Sequence, residues 1–109
     1  MAQIIKRLST LNLSANTASV AFVADSTYLV SVIATNKSST QSSNVSVWIA
    51  PLGDNTESVR GYIAAELSVT PANALETIRF AILSTDVIYV ESSTESTSFI
   101  VQGIDQLAL

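Results

Sequence analysis

The residues able to carry chemistry in this chain are few and mostly acidic. The sequence contains no His and no Cys. That removes Ser-His-Asp triads, imidazole and thiolate metal sites, Cys nucleophiles and disulfides. Carboxylate pairs remain, because two carboxyl groups flanking a bond can act as acid and base. Asp54 and Glu57 in "GDNTE", and Glu91 and Glu95 around "SST", are the candidates. Both pairs fall in expected loops, where Asp and Asn side chains close turns by bonding nearby backbone, and the turn reading outweighs catalysis. "DNTE" lacks the spaced oxygen ligands and Gly of a calcium loop. With only three Gly, the chain holds no Gly-rich phosphate loop. The expectation is a protein without catalytic residues, metal or cofactor.

Binding residues are the remaining option. Trp48 is the single Trp. Alternation along its strand points it away from Val47 and Ile49, beside Ser46. It is either packed on a neighbouring element or the anchor of an interface, where Trp is enriched. Tyr28, Tyr62 and Tyr89 join it as candidates for stacking on a sugar. Five basic residues, Lys6, Arg7, Lys37, Arg60 and Arg79, are scattered along a chain of net charge −4. Nucleic-acid binding needs a clustered basic face and is not expected. Arg60 and Arg79 read as solvated strand charges, or as partners of Glu57, Glu66 or Glu76 across a subunit contact. Such exposed pairs contribute only about 0–1 kcal/mol. "NLS" at Asn12, "NKS" at Asn36 and "NVS" at Asn44 match the glycosylation pattern, which a chain rich in Ser and Thr produces by chance.

These residues must be positioned by strands. "ASVAFVA" (18–24), "TYLVSVIAT" (27–35), "NVSVWIAP" (44–51), "VRGYIAAEL" (59–67), "DVIYVES" (86–92) and "TSFIVQGI" (97–104) alternate or run apolar between turn residues. Val20, Phe22 and Ala24 fall on one face of the first. "TPANALETIRFAILS" (70–84) fits a helix capped by Thr70 with Pro71 at its first position. It also fits a strand with Ile78, Phe80 and Ile82 inward, and the all-β surroundings favour the strand. The sum is all-β, a single β-sandwich over residues 1–109, immunoglobulin-like or jelly-roll, with roughly seven or eight short antiparallel strands. "TNKSSTQSSN" (35–44) is then a loop between two strands, not a linker, with Lys37 its only charge. Residues 1–14 form an N-terminal arm or an edge strand. In the arm reading, Ile4 and Ile5 would add a strand to a neighbour's sheet.

Hydrophobic residues make up 48% and charged residues 13%, opposite to the balance of a disordered chain. A domain of this size buries roughly 65% of its unfolded surface, enough for one core. Low surface charge suits burial against other subunits. No secretory apolar region follows Lys6 and Arg7, and no run reaches the roughly 18 apolar residues of a membrane helix. A chain made in a cytosol, without a membrane partner, is expected.

The succession "SVAFVADST", "LVSVIATNKSS", "NVSVWIAPLGD", "YIAAELSVTPANALETIRFAILSTDVIYVES" and "SFIVQGID", spanning Val20 to Ile104, resembles small virion structural proteins of tailed bacteriophages. The "TPAN" turn and "TDVIYVES" are the most telling pieces. The resemblance implies a β-sandwich with a non-enzymatic role, as a capsid decoration or cement protein or a neck, tail or baseplate component carrying fibres. It implies other virion subunits as partners, a homo-oligomer, and a virion location after assembly in the bacterial host cytoplasm. It carries no catalytic residues. The candidate interface residues are Ile4, Ile5, Lys37, Trp48, Arg60 and Arg79. A fibre-tip module binding host-surface carbohydrate through Trp48, Tyr28, Tyr62 and Tyr89 is the competing expectation.

Overall fold

The computed structural model describes residues 6–12 and 14–105. The described residues form nine strands: β1 Lys6–Asn12, β2 Ser19–Val23, β3 Tyr28–Asn36, β4 Ser43–Pro51, β5 Gly61–Val69, β6 Ala74–Glu76, β7 Phe80–Ile82, β8 Asp86–Ser92 and β9 Thr97–Asp105. One turn of 3₁₀ helix, Glu57–Val59, is the only helical element among the described residues. The strands build two antiparallel sheets. The first runs β1-β9-β3-β6, with β7 also paired to β3; the second runs β2-β8-β4-β5.

Counting β6 and β7 as one interrupted strand, consecutive strands alternate between the sheets, except that β4 and β5 form a hairpin in the second. That connectivity is the jelly roll, two Greek keys wrapped into a sandwich, and it separates this fold from the immunoglobulin alternative. The core lies between the sheets. Val30, Val32, Ala34, Phe99 and Val101 from the first sheet meet Val45, Val47, Ile88 and Val90 from the second. β-branched side chains suit a pleated surface, and period-two alternation sends them all inward.

β1 is an edge strand of its own sheet, paired antiparallel to β9 from Lys6↔Gly103 to Asn12↔Ser98. Ile4 and Ile5, on which the arm reading rests, lie outside the described residues.

The structure corrects two readings of side-chain direction. Residues 70–84 are neither a helix nor one strand but two short ones broken at 77–79. Ile78 is 76% exposed rather than inward. The cause is a one-residue insertion: three residues of β3 lie between Val30 and Ala34, whereas four lie between their partners Leu75 and Phe80. The odd residue reverses the alternation, and Thr77 Oγ1 fills the gap by accepting the Val32 N–H at 2.9 Å. In β2 a register shift between Val20 and Phe22 takes Ala21 into the core and leaves Val20 half exposed.

Candidate functional site

The outer face of the second sheet carries the densest group of candidate residues. On β4, Val45 and Val47 point into the core, so Ser46 and Trp48 point outward. Register then sets Tyr89 of β8 beside Trp48 on one side and Tyr62 of β5 on the other. The Trp48 and Tyr89 rings stack, with centroids 5.8 Å apart and planes 9° from parallel. Tyr62 leans on Trp48 at 5.5 Å and 43°. Such ring pairs contribute about 0.5–1.5 kcal/mol beyond the area they bury.

Trp48 faces outward, yet it is fully buried. The β4–β5 loop folds back over it. Asn55 Oδ1 accepts the indole Nε1–H at 2.7 Å, and the Arg60 guanidinium lies 4.4 Å from the ring centroid. Cation–π attraction is strongest on Trp, and burial on the sheet side removes competing water. Arg60 sits just before β5 rather than within it. Its Nε–H donates to the Asn55 carbonyl at 3.1 Å. Its Nη1 donates to the Tyr62 hydroxyl at 3.0 Å and pairs with Glu57 at 2.9 Å. Its hydrogen bond to the Tyr62 hydroxyl, reinforced by the Tyr62, Glu57 and Glu91 charges, holds its pKa above the usual arginine value. Arg60 therefore spends its Nε and Nη1 donors inside its own chain.

Beside this stack lies a groove of about 420 Å³. Its lining includes Tyr62, Glu57, Glu66, Glu91, Asn16 and Asn44, with Trp48 at its base. The two candidate carboxylate pairs are divided among other roles, as the turn reading expects of Asp54. Asp54 closes a turn by accepting the Thr56 N–H and hydroxyl. Glu57 is held by Arg60 and Tyr62. Glu91 lies on β8 rather than in a loop, and Glu95 lies in the turn after it. Glu57, Glu66 and Glu91 instead converge on the groove from three separate elements. Among the described residues no group of His, Cys, Asp and Glu is arranged to hold a metal ion.

The remaining candidates are dispersed. Tyr28 lies in the first sheet, edge-on to Phe22 at 5.2 Å, and donates its hydroxyl to Asp25 at 2.7 Å. That bond, reinforced by partial burial, raises its pKa above 10.0. Arg79 is exposed at the rim of a small cleft of about 40 Å³ with Glu76 and Gln102. Lys37 reaches from the loop after β3 to Asn12 Oδ1 at 3.1 Å.

That loop is tightly built. Asn36, at its base, is fully buried and donates its amide to the Gln41 and Val69 carbonyls at 2.7 and 3.0 Å. Its oxygen accepts the Ser38 N–H and the Ser96 hydroxyl. Sequence reasoning weighed Asn36 only as a glycosylation acceptor. An Asn followed by small hydroxyl residues at a strand end was the available signal for a side-chain-built turn.

No family model matches the sequence, and no curated protein matches it. Solved structures do share the fold. In the crystal structure of the T13 viral particle of infectious bursal disease virus, 94% of this chain aligns with TM-score 0.54 at 10% identity. In the VP2 subviral particle of that virus, 95% aligns with TM-score 0.54, also at 10% identity. The N-terminal CBM22-1–GH10 modules of Clostridium thermocellum xylanase 10B, complexed with xylohexaose, align over 95% with TM-score 0.51 and 12% identity. The chain spans less than a third of each of these longer chains: 31%, 32% and 24%. At these identities the likeness is one of fold: an all-β sandwich built like domains of viral capsid proteins and of a xylanase that carries a carbohydrate-binding module.

Proposed function

We propose that this chain is a non-enzymatic virion structural protein of a tailed bacteriophage, a capsid decoration or cement protein that binds and stabilises other virion subunits. The observation that carries this reading is the outer face of the first sheet. β3 holds no charged residue, and β9 holds only Asp105 at its end. Because Val30 and Val32 point inward, Leu29 and Ile33 point outward, and register pairs them with Ile104 and Ile100. All four are only partly buried. Ser31, Gln102 and Glu76 close a hydrogen-bonded cluster between the two apolar pairs. A partly apolar face whose Glu76 carboxylate is already hydrogen-bonded to Ser31 and Gln102 loses little solvation when covered by a protein neighbour. The jelly roll shared with viral capsid proteins supports the same reading, although a fold alone does not assign a function.

In this proposal Lys37, Arg79 and the segment containing Ile4 and Ile5 lie at the contacts, while Trp48 and Arg60 act beneath the surface by fixing Tyr62. The protein acts as a homo-oligomer on the particle. A neck, tail or baseplate position uses the same face against different subunits. The test is to mix purified protein with expanded, undecorated heads and sediment them. Co-sedimentation that is lost on Ile33→Glu or Ile100→Lys, with the folded state intact, supports a head position through this face. Protein that stays in the supernatant with heads and pellets with tails or baseplates moves it to the tail. Protein that pellets with neither overturns the reading.

A further inference from the structure

We infer that the groove on the outer face of the second sheet binds a neutral oligosaccharide. This site is separate from the assembly face and does not depend on it, because it lies on the other sheet. Its volume, about 420 Å³, falls in the range of roughly 300–1,000 Å³ typical of small-ligand sites. Along β4 it extends from Trp48 to Asn44, a strand rise of about 13 Å. That length exceeds one pyranose ring and suits a short run of sugars.

The chemistry of the lining favours a sugar. Tyr62 is 40% exposed, and its position is fixed from below and from the side. Its ring rests on Trp48, and its hydroxyl is shared by Glu57 and Arg60. A held ring offers a negative π face to the C–H groups of a pyranose at little ordering cost. Beyond it, the Glu66 and Glu91 carboxylates and the Asn16 and Asn44 carboxamides line the groove. Apart from a long-range attraction between Glu91 and Arg60, these four side chains have no hydrogen-bond or ion-pair partner among the described residues. They supply the acceptors and donors that sugar hydroxyls require.

The groove is also built into the fold. Two register shifts in β5, one beside Tyr62 and one beside Glu66, bend that edge strand. Glu66 takes a left-handed φ of 48°, and its N–H is held by Ser46 Oγ at 3.0 Å. The Asn16 N–H donates to the Ser92 carbonyl at 2.8 Å and fixes the opposite wall. Sign completes the assignment. The Glu66 and Glu91 carboxylates line the groove, while Arg60, the cation beside it, is paired with Glu57 and bonded to Tyr62 and Asn55. Uronates, sialylated glycans and phosphates meet repulsion there, and neutral sugars do not.

Trp48 provides the readout, being the single Trp and lying beneath Tyr62. Purified protein is titrated with xylohexaose, cellohexaose and mannohexaose, with oligogalacturonate as the acidic control, and Trp emission is followed. A saturable change with at least one neutral hexasaccharide and none with oligogalacturonate is expected. Tyr62→Ala should weaken binding about tenfold. The exposed Asn44→Ala should weaken it severalfold with an unchanged melting temperature, which covers the case in which Tyr62→Ala perturbs the fold. The assignment is overturned if no neutral hexasaccharide binds at millimolar concentration. It is also overturned if both variants bind like the parent, if oligogalacturonate binds equally well, or if the response follows calcium ion alone. Head co-sedimentation is measured separately, so failure here leaves the assembly reading standing, and the reverse holds.

Discussion

Asn36 of the first sheet donates its side-chain amide to the Val69 carbonyl of the second at 3.0 Å, in full burial. This bond closes the end of the sandwich where the polar loop runs between β3 and β4. Four groups depend on the one carboxamide: the Gln41 and Val69 carbonyls, the Ser38 N–H and the Ser96 hydroxyl. Asn36→Ala leaves several of them without partners, each costing about 1–3 kcal/mol where water cannot reach. A loss of about 3 kcal/mol in urea unfolding is expected. Asn44→Ala, in the same Ser/Thr-rich stretch but exposed, should stay within about 0.5 kcal/mol.

Gly103 marks a second close approach. It pairs with Val30 across β3 and β9. A methyl group there would run into the Leu29 carbonyl oxygen and come within 2.7 Å of Val30 Cγ1. Because the obstacle is backbone, the two central strands must separate to admit it. Gly103→Ala should destabilise by about 1–3 kcal/mol or more. Gly61→Ala, whose nearest neighbour would be at an ordinary 3.9 Å, serves as the control in the same thermal melt.

Tyr28 gives the fold a pH dependence at its alkaline limit. Its hydroxyl donates to Asp25, and that bond is the main reason its pKa lies above the ordinary 10.0. The raised value means that the fold favours the protonated phenol. The contribution is therefore complete below pH 10.0 and disappears as pH rises through the raised value. Tyr28→Phe should flatten this part of the stability curve and remove one step from the absorbance titration of tyrosinate. A parent curve already flat across that range would contradict the assignment.

Six of the nine strands among the described residues are legible from alternation and apolar runs, because a sheet with one face on a core imposes a period of two. "DVIYVES" matches β8 from end to end. Two features were not legible, for identifiable reasons. Ile78 follows the inward pattern in sequence, but one inserted residue opposite β3 turns it out, and an insertion leaves no compositional trace. Trp48 was placed on the correct face. Its burial comes from Asn55 and Arg60, which return to it from a loop. The groove is similar: Tyr62 and Tyr89 were named as stacking candidates with Trp48, but only the registers of β5 and β8 against β4 bring them together. Glu57, Glu66 and Glu91 line one groove from three separate elements, a grouping that spacing along the chain does not show.

Thr85 offers a gain of stability. It takes φ 75°, a left-handed conformation that a β-branched side chain adopts only under strain. The neighbours impose it. Its N–H donates to the Ala24 carbonyl at 2.8 Å, and its own carbonyl accepts the Leu52 N–H at 3.1 Å. The turn thereby links the loops after β2 and β4 to the start of β8. The Thr85 side chain is exposed and makes no hydrogen bond among the described residues, so the methyl and hydroxyl add strain without a contact in return. Relief of a left-handed β-branched residue amounts to about 1–2 kcal/mol. The added freedom of Gly in the unfolded chain offsets up to about 1 kcal/mol of this. Thr85→Gly should raise stability by up to about 1 kcal/mol, and Thr85→Asn, which tolerates the same φ with less unfolded-state freedom, should do at least as well. Urea midpoints compared with the parent decide the matter: a loss in both variants would show that the Thr85 side chain contributes more than the strain it carries.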